Sequence, residues 1–105
     1  MATREITGIT VEIDEDGYMA DYTQWNKEIA DVLAKEQEID ELTDRHYVVI
    51  EYMRKEFEEN GTGPSIRKLN KQSGVSTKEL YQLFPGGPAK KAAFIAGITK
   101  PHGCI

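Results

Sequence analysis

The fold is decided by Thr43-Asp-Arg-His-Tyr-Val-Val-Ile-Glu-Tyr-Met-Arg-Lys-Glu-Phe-Glu-Glu-Asn-Gly61. Its apolar residues recur at the spacing of a helix that buries one face. Asn60-Gly61 tolerates left-handed dihedrals, so we expect the helix to end there. We predict that this is the central helix of the core. The predicted buried stripe is Val49, Ile50, Met53 and Phe57, and the predicted outer face is Glu51, Arg54, Lys55, Glu58 and Glu59.

A strand pattern precedes this helix. Ile9, Val11 and Ile13 alternate with polar residues, and the turn sequence Asp-Glu-Asp-Gly at 14–17 follows them. The pattern predicts a β-hairpin whose return strand begins at Tyr18. The acidic cluster lacks the spacing of an EF-hand calcium loop, so we interpret it as a solvated turn.

A first helix is predicted over residues 23–37. The Thr23 hydroxyl is suited to cap free backbone amides at its start. Four residues then fall on one helical face, which favours packing into the core over ligand stacking by the aromatic ring. They are Trp25, Ile29, Val32 and Leu33.

Two short helices follow the central one and predict a helix-turn-helix. Pro64 suits the start of the third helix, and Gly74 is placed to end it. Ser76 and Glu79 form a capping-box pattern at the start of the fourth helix. The third helix contains Ile66 and Leu69, and Val75 and Leu80 are spaced as a hydrophobic staple. The fourth helix is predicted to direct Leu80, Leu83 and Phe84 inward.

A fifth short helix is predicted over residues 88–96, with Pro88 at its first position. The elements together predict an α+β, mainly α domain: a small amino-terminal β-hairpin or meander packed on about five helices. We assign residues 1–96 to one globular domain. Residues 97–105 contain Gly97, Pro101 and Gly103 and show no regular period, so we predict a mobile carboxyl-terminal arm.

Composition excludes several classes of protein. The chain has 105 residues, 39% hydrophobic and 30% charged, which fits one small soluble domain. No apolar run approaches eighteen residues, so we expect neither membrane insertion nor secretion. With two histidines and one cysteine, a metal site is not expected, and His46 is interpreted as a packed or partly exposed ring. No cofactor fingerprint occurs, and the single cysteine suits a reducing, cytoplasmic compartment.

Charge is divided unevenly along the chain. Residues 1–60 hold 6 Lys+Arg against 17 Asp+Glu, whereas residues 61–105 hold 7 against the single acid Glu79. A basic helix-turn-helix resembles the DNA-reading motif of bacterial repressors, so a DNA-binding regulator is the alternative function. The reading helix contains Glu79 and no arginine, however, and the rest of the domain is acidic. We therefore rank direct DNA binding second.

The only cysteine of the chain, Cys104, lies one residue from the carboxyl end. The eight residues 98–105, fully extended, would span roughly 25 Å, enough to carry a thiol into the cleft of another protein. A lone thiol on such a tether is the arrangement that a carrier requires. The alternative is an inert terminal thiol.

The end of the chain resembles the DsrC/TusE family. The matching segments are Pro-Gly-Gly-Pro-Ala-Lys at 85–90, Ile-Ala-Gly at 95–97, Lys-Pro at 100–101 and Gly-Cys-Ile at 103–105. The resemblance extends back through Asp14 to Tyr18, Trp25 and residues 43–84. It implies a cytoplasmic sulfur-carrier protein with Cys104 as its reactive residue, no cofactor and no metal. It also implies a sulfurtransferase-type carrier that acts with partner proteins and is not an independent catalyst.

One departure from the family pattern concerns position 93. Members that work with dissimilatory sulfite reductase usually have a second cysteine eleven positions before the penultimate one, and here that residue is Ala93. An intramolecular bridge is thus excluded, whereas a persulfide on Cys104 needs one thiol only. Ala93 favours the tRNA-thiolation relay branch, and the short link between helices three and four favours the other. An engineered Cys-to-Ala replacement would look the same.

The resemblance implies sulfur-transfer proteins or dissimilatory sulfite reductase as partners of a monomeric chain. Sulfur relay requires Cys104 to attack as a thiolate, yet an exposed cysteine has a pKa of about 8.5. The carboxylate of Ile105 raises that pKa, whereas Lys100 and His102 lower it. We expect a modest nucleophile that is activated in a partner's cleft.

Overall fold

Two strands and five α-helices make up the described part of the chain, which comprises residues 2–61, 63–64 and 66–99 of a computed structural model. The strands β1 (Ala2–Ile6) and β2 (Ile9–Ile13) pair antiparallel. A single 3-10 turn at Tyr22–Gln24 leads into the helices. The mainly helical α+β class predicted from sequence is confirmed. The helices are α1 (Lys27–Glu36), α2 (Asp44–Asn60), α3 (Ile66–Ser73), α4 (Thr77–Leu83) and α5 (Pro88–Ile95).

The hairpin exists, but its turn is not the predicted one. β1 and β2 are joined at Thr7-Gly8, where both residues have positive φ, 54° and 83°. Two left-handed central residues are what a tight two-residue hairpin requires. The predicted turn at 14–17 makes the next reversal, after which only a single bridge, Ile13 to Met19, is formed. The prediction of a return strand that begins at Tyr18 is therefore wrong.

The first helix begins four residues later than predicted. Asp21 caps the 3-10 turn by accepting from the Thr23 backbone amide at 3.0 Å. Trp25 is extended, and Asn26 then caps α1 by accepting from the Ile29 amide at 2.9 Å. Two capping side chains five residues apart thus divide the segment into a 3-10 turn and a separate helix. Trp25 lies before α1 and not on its buried face.

The central helix α2 has the predicted bounds, with Gly61 closing it at φ 76°. It packs against α3 and α5, and α5 also packs on α1. The buried side chains form one contiguous cluster that includes Ile6 and Val11 of the hairpin. Val49, Ile50 and Met53 are fully buried as predicted, and Phe57 is partly buried.

A carboxylate of α2, Glu56, is also buried, with only 7% of its surface exposed. It accepts hydrogen bonds from Asn60 at 2.8 Å and from Tyr52 at 3.4 Å, and it forms an ion pair with Lys68 of α3. A buried charge is tolerated only when such partners surround it. The contact joins α2 to the start of the helix-turn-helix.

The helix-turn-helix is formed by α3 and α4, with Gly74 at φ 79° in the turn. The Ser76 side chain accepts from the Glu79 amide at 3.1 Å, which is one half of the predicted capping box. The other half is absent, because the Glu79 carboxylate receives two 2.8 Å hydrogen bonds from Arg45 of α2. A guanidinium offers a carboxylate a two-point contact that a backbone amide does not.

His46 ties the start of α2 to the end of α4. Its ring is buried, and its Nδ1 accepts from the Thr43 backbone amide at 3.0 Å. Because Nδ1 accepts, Nε2 carries the proton and donates to the Leu83 carbonyl at 2.9 Å. The ring also meets Phe84 edge-on, with centroids 5.2 Å apart. Of the two predicted states, packed or partly exposed, the ring adopts the packed one.

Replacing His46 with Ala should lower the free energy of unfolding by about 2–4 kcal/mol, because it opens a cavity and leaves two backbone groups without partners. Chemical denaturation followed by circular dichroism measures the loss. Val48→Ala on the same helix is the control, since Val48 is exposed and its truncation should change stability by less than about 0.5 kcal/mol. Equal losses in the two variants would show that the His46 contacts contribute nothing.

Candidate functional site

The residue predicted to react, Cys104, lies outside the described residues, as do Lys100 and His102. The structure does describe the segment from which residues 100–105 continue. α5 ends at Ile95, and the chain then passes through Ala96, Gly97 and Ile98 to Thr99. Residues 95–99 attach the carboxyl-terminal segment to the rest of the fold. We call these residues the base.

The base is part of the globule. Gly97 and Ile98 are buried, and Ile98 has no exposed surface. The Ile98 amide donates to the Ala93 carbonyl at 3.2 Å, which turns the chain back against the end of α5. Placing these two residues in a mobile arm was wrong, because an apolar side chain at 98 anchors the chain one turn beyond the helix. Any arm begins at Thr99 or later.

Trp25 packs directly against the base. Its indole Nε1 donates to the Ile95 carbonyl at 2.8 Å. Gly97 has a φ of 73°, and a Cβ added there would lie 2.4 Å from Trp25 Cδ1. Only glycine combines this left-handed backbone with so close an approach of the ring.

Arg54 of α2 holds the base from a second side. One guanidinium nitrogen donates to the Ala96 carbonyl at 2.7 Å, and another donates to the Tyr22 carbonyl at 2.9 Å. The guanidinium carbon lies 4.2 Å from the centroid of the Trp25 ring, a close cation–π contact. Burial lowers the pKa of Arg54 from its ordinary value, while the neighbouring Tyr22 and Glu58 act in the opposite direction.

The sequence interpretation of Arg54 as an outer-face residue was wrong. Arg54 follows Ile50 by four positions and precedes Phe57 by three, so it lies on the same helical face as the buried stripe. That spacing was the available signal. The prediction instead followed the general expectation that arginine is exposed. A guanidinium is, however, also suited to donate hydrogen bonds to the carbonyls that a helix end leaves free.

Ala93 is fully buried within α5. Its methyl group faces the core cluster, and its carbonyl receives the Ile98 amide. The position therefore combines tight packing with direct contact to the base. No thiol is available there.

A cleft of about 330 Å³ opens beside α5. Lys91 donates to the Gln37 carbonyl at 3.4 Å, and the Tyr18 hydroxyl donates to the Lys90 carbonyl at the same distance. Burial and the nearby Asp16 and Asp14 raise the pKa of Tyr18. The cleft contains no pairing of a nucleophile with a base. Its lining is Asp16, Tyr18, Gln37, Gly86, Gly87, Lys90, Lys91 and Phe94.

The outer face of α4 is exposed in the positions where a reading helix contacts DNA. Lys78, Tyr81 and Gln82 are all exposed, and 44% of the Tyr81 surface is accessible. The one acid of this helix, Glu79, is neutralised by Arg45. The geometry is that of a helix-turn-helix, which packed helical pairs of many functions share.

Metal-binding clusters are absent from the described residues: no three His, Cys, Asp or Glu side chains gather there. Over the same ranges, no helix is both long and apolar enough to cross a membrane. Every buried side-chain nitrogen or oxygen in that part of the chain has a hydrogen-bond partner.

The described fold defines a class of small α+β domains in which a hairpin and a helix-turn-helix surround one long helix. The family model described as "DsrC like protein" matches residues 5–105. The match covers nearly the whole chain, so the chain belongs to the DsrC family. This confirms the resemblance seen in its carboxyl-terminal segment.

Relatives of two kinds are similar to it. The dissimilatory-type sulfite reductase subunit gamma of Nitratidesulfovibrio vulgaris is 34% identical over 105 residues, covering 100% of both chains. The "Sulfurtransferase TusE homolog" of Haemophilus influenzae is 42% identical over 107 residues, covering 95% of this chain and 97% of its own. The sulfurtransferase TusE of Pectobacterium atrosepticum is also 42% identical, covering 96% and 98%.

Solved structures share the fold throughout. The crystal structure of dissimilatory sulfite reductase I superposes with a TM-score of 0.86 at 35% identity, covering 99% of this chain and 100% of the matched chain. The solution structure of DsrC from Allochromatium vinosum gives a TM-score of 0.82 at 38% identity, covering 98% and 97%.

Proposed function

We propose that the chain is a sulfur carrier that accepts sulfur as a persulfide on Cys104 and passes it between partner proteins. The supporting observation is the placement of the only cysteine relative to the base. Ile98 is buried and hydrogen-bonded, and Cys104 follows it by six residues. Six extended residues span at most about 20 Å, so the thiol can reach beyond the globule while its tether is held. The names of the TusE and gamma-subunit relatives agree with work on sulfur.

Uptake of sulfur is a thiol exchange. The Cys104 thiolate attacks the outer sulfur of a donor persulfide, forming a new S–S bond while the donor S–S bond breaks. The donor leaves as a thiolate with the bonding electron pair, and Cys104 holds the persulfide. Delivery repeats the exchange, with an acceptor thiolate attacking the outer sulfur. Neither step changes the total oxidation level, so no other oxidant or reductant takes part.

Partner proteins supply what the chain lacks. At a pKa of about 8.5, only a few per cent of an exposed cysteine is thiolate near neutral pH. Arg54, the cation that contacts residues 95–99, already donates to two carbonyls and is not free to stabilise a thiolate. Activation in a partner's cleft therefore fits a carrier that acts only when docked. The partners proposed are other sulfur-transfer proteins, including a tRNA-thiolation relay, or a dissimilatory sulfite reductase.

The branch is decided by which partner binds. Ala93 excludes an internal bridge and favours a relay, whereas the link between α3 and α4 is only three residues, 74–76, which favours the sulfite reductase branch. Capture from the native extract with the immobilised chain discriminates them. Recovery of sulfite reductase subunits supports one branch, and recovery of a tRNA-modifying sulfurtransferase supports the other.

Sulfur loading tests the proposal directly. We expect incubation of the chain with a small-molecule persulfide donor to add about 32 Da, one sulfur atom, in native mass spectrometry. Mixing the loaded chain with an excess of a small thiol should remove that mass and return the original species. No mass gain in the native protein would overturn the proposal.

DNA binding through α3 and α4 is the second candidate. It is favoured by the exposed Lys78, Tyr81 and Gln82 and by the neutralisation of Glu79. Phosphate contacts weaken as salt rises, because binding releases counterions. Retardation of random duplex DNA at low salt that disappears at higher salt would establish this activity, and no retardation at low salt would exclude it.

A further inference from the structure

We infer that Arg54 and Trp25 are positioning residues for the segment that carries Cys104. The inference rests on the proposed function, which it deepens: the two side chains fix the point and direction from which the carrier thiol departs. They act by holding the base, residues 95–99.

The Arg54 guanidinium is a two-point bridge. It joins the Ala96 carbonyl, at the end of α5, to the Tyr22 carbonyl in the 3-10 turn. A planar guanidinium presents its donors in a fixed fork, so two acceptors are held in one geometry. A lysine ammonium at the same place keeps the charge but lacks the fork and the flat stacking surface.

Trp25 completes the hold. Its indole donates to the Ile95 carbonyl at 2.8 Å, and its ring contacts both the Arg54 guanidinium and the backbone of Gly97. Three successive residues of the base are thus each fixed by a side chain from elsewhere in the fold. Arg54 comes from α2, and Trp25 comes from the segment before α1, so the base is tied to two separate elements.

The hold sets how many residues lie between the last fixed residue and Cys104. With Ile98 fixed that number is six, and six residues reach at most about 20 Å. If the base is released back to Ile95 the number is nine, and the maximal reach grows to about 30 Å. Misplacement by even about 1 Å lowers the rate of a reaction that depends on alignment, so this spread matters for delivery.

Energy transfer between Trp25 and a dye on Cys104 measures the span. The chain has one Trp and one Cys, so donor and acceptor are each unique. We expect Arg54→Lys to broaden the donor–acceptor distance distribution, because the maximal reach from the last fixed residue grows from about 20 Å to about 30 Å. Each variant is compared with its own unlabelled form, which removes direct effects on Trp25 emission. Arg45→Lys is the matched control, because Arg45 lies on the same helix but pairs with Glu79, and its distribution should equal the wild type.

Hydrogen exchange of the Ile98 amide gives a second readout. This amide donates to the Ala93 carbonyl, so its exchange reports opening of the base. We expect it to exchange at least about tenfold faster in Arg54→Lys, because a hydrogen bond to a charged group is lost. The Met53 amide in the centre of α2 should keep its wild-type rate, which separates local release from global unfolding.

The positioning role is overturned if Arg54→Lys leaves both the distance distribution and the Ile98 exchange rate unchanged. It is also overturned if Met53 and Ile98 accelerate equally, since the effect is then general destabilisation. Neither measurement requires sulfur transfer. A failed positioning test therefore leaves the sulfur-carrier proposal standing, and failure of sulfur loading on the wild-type chain leaves the positioning result standing.

Discussion

Replacing Cys104 with Ser is expected to abolish the uptake of sulfur completely. A hydroxyl has neither the nucleophilicity of a thiolate nor the capacity to hold a second sulfur as a persulfide. Because the chain has a single cysteine, no other residue can take over the modification. Mass spectrometry after incubation with a persulfide donor should show the unmodified mass alone, where the wild type gains about 32 Da.

His102→Ala is the companion variant for that experiment. It changes a residue two positions from Cys104 in sequence but leaves the thiol in place, so the mass gain at completion should equal that of the wild type even if uptake is slower. Thermal unfolding of Cys104→Ser should match the wild type, which shows that the fold is intact. A mass gain that survives in Cys104→Ser would place the sulfur elsewhere and refute the site.

Replacing Gly97 with Ala should lower the free energy of unfolding by roughly 2–5 kcal/mol, which combines left-handed strain with overpacking. The φ of 73° is unfavourable for any residue with a Cβ, and the new methyl would lie 2.4 Å from Trp25 Cδ1. The ring and the base must therefore move apart. Urea unfolding followed by circular dichroism measures the loss, and Trp25 fluorescence in the folded state should change with its environment.

Gly61→Ala separates the two causes of that loss. Gly61 has nearly the same φ, 76°, but an added Cβ there meets no atom within 4 Å. It should therefore cost only the backbone strain, about 1–2 kcal/mol. If Gly97→Ala and Gly61→Ala lower the free energy of unfolding equally and Trp25 emission is unchanged, then Trp25 does not pack closely on the base.

Local patterns in the sequence were sufficient for the long helix and the helix-turn-helix. The predicted buried face of the long helix is the buried face in the structure, as Val49, Ile50 and Met53 show. The predicted ends at Gly61 and Gly74 are also observed, and both glycines have positive φ there. The hairpin turn was misplaced, because Asp16-Gly17 is a stronger turn signal than Thr7-Gly8. Both turns form, but a strand ladder is built only across the first, and a single bridge follows the second.

The burial of the base, residues 95–99, could not be predicted from local sequence patterns, because it involves residues that are distant in sequence. Ile98 stands between Gly97 and Pro101 in a segment with no period, and the base to which it belongs is contacted by Arg54 and Trp25, which are distant in sequence. Arg54 and Glu56 are charged residues whose cost of burial is offset by partners that only the folded chain brings near. Cys104 was predicted from composition and resemblance, and it stays a prediction.

The buried methyl group at Ala93 has a chemical consequence for the life of a loaded molecule. If Cys104 carries sulfur as proposed, one cysteine per chain means that no ring closure between two thiols of the same molecule can expel the cargo or protect it. Discharge is then a bimolecular event whose speed follows the concentration of an acceptor. Under oxidising conditions the thiol's disulfide products are a covalent pair of chains or a mixed disulfide with a foreign thiol.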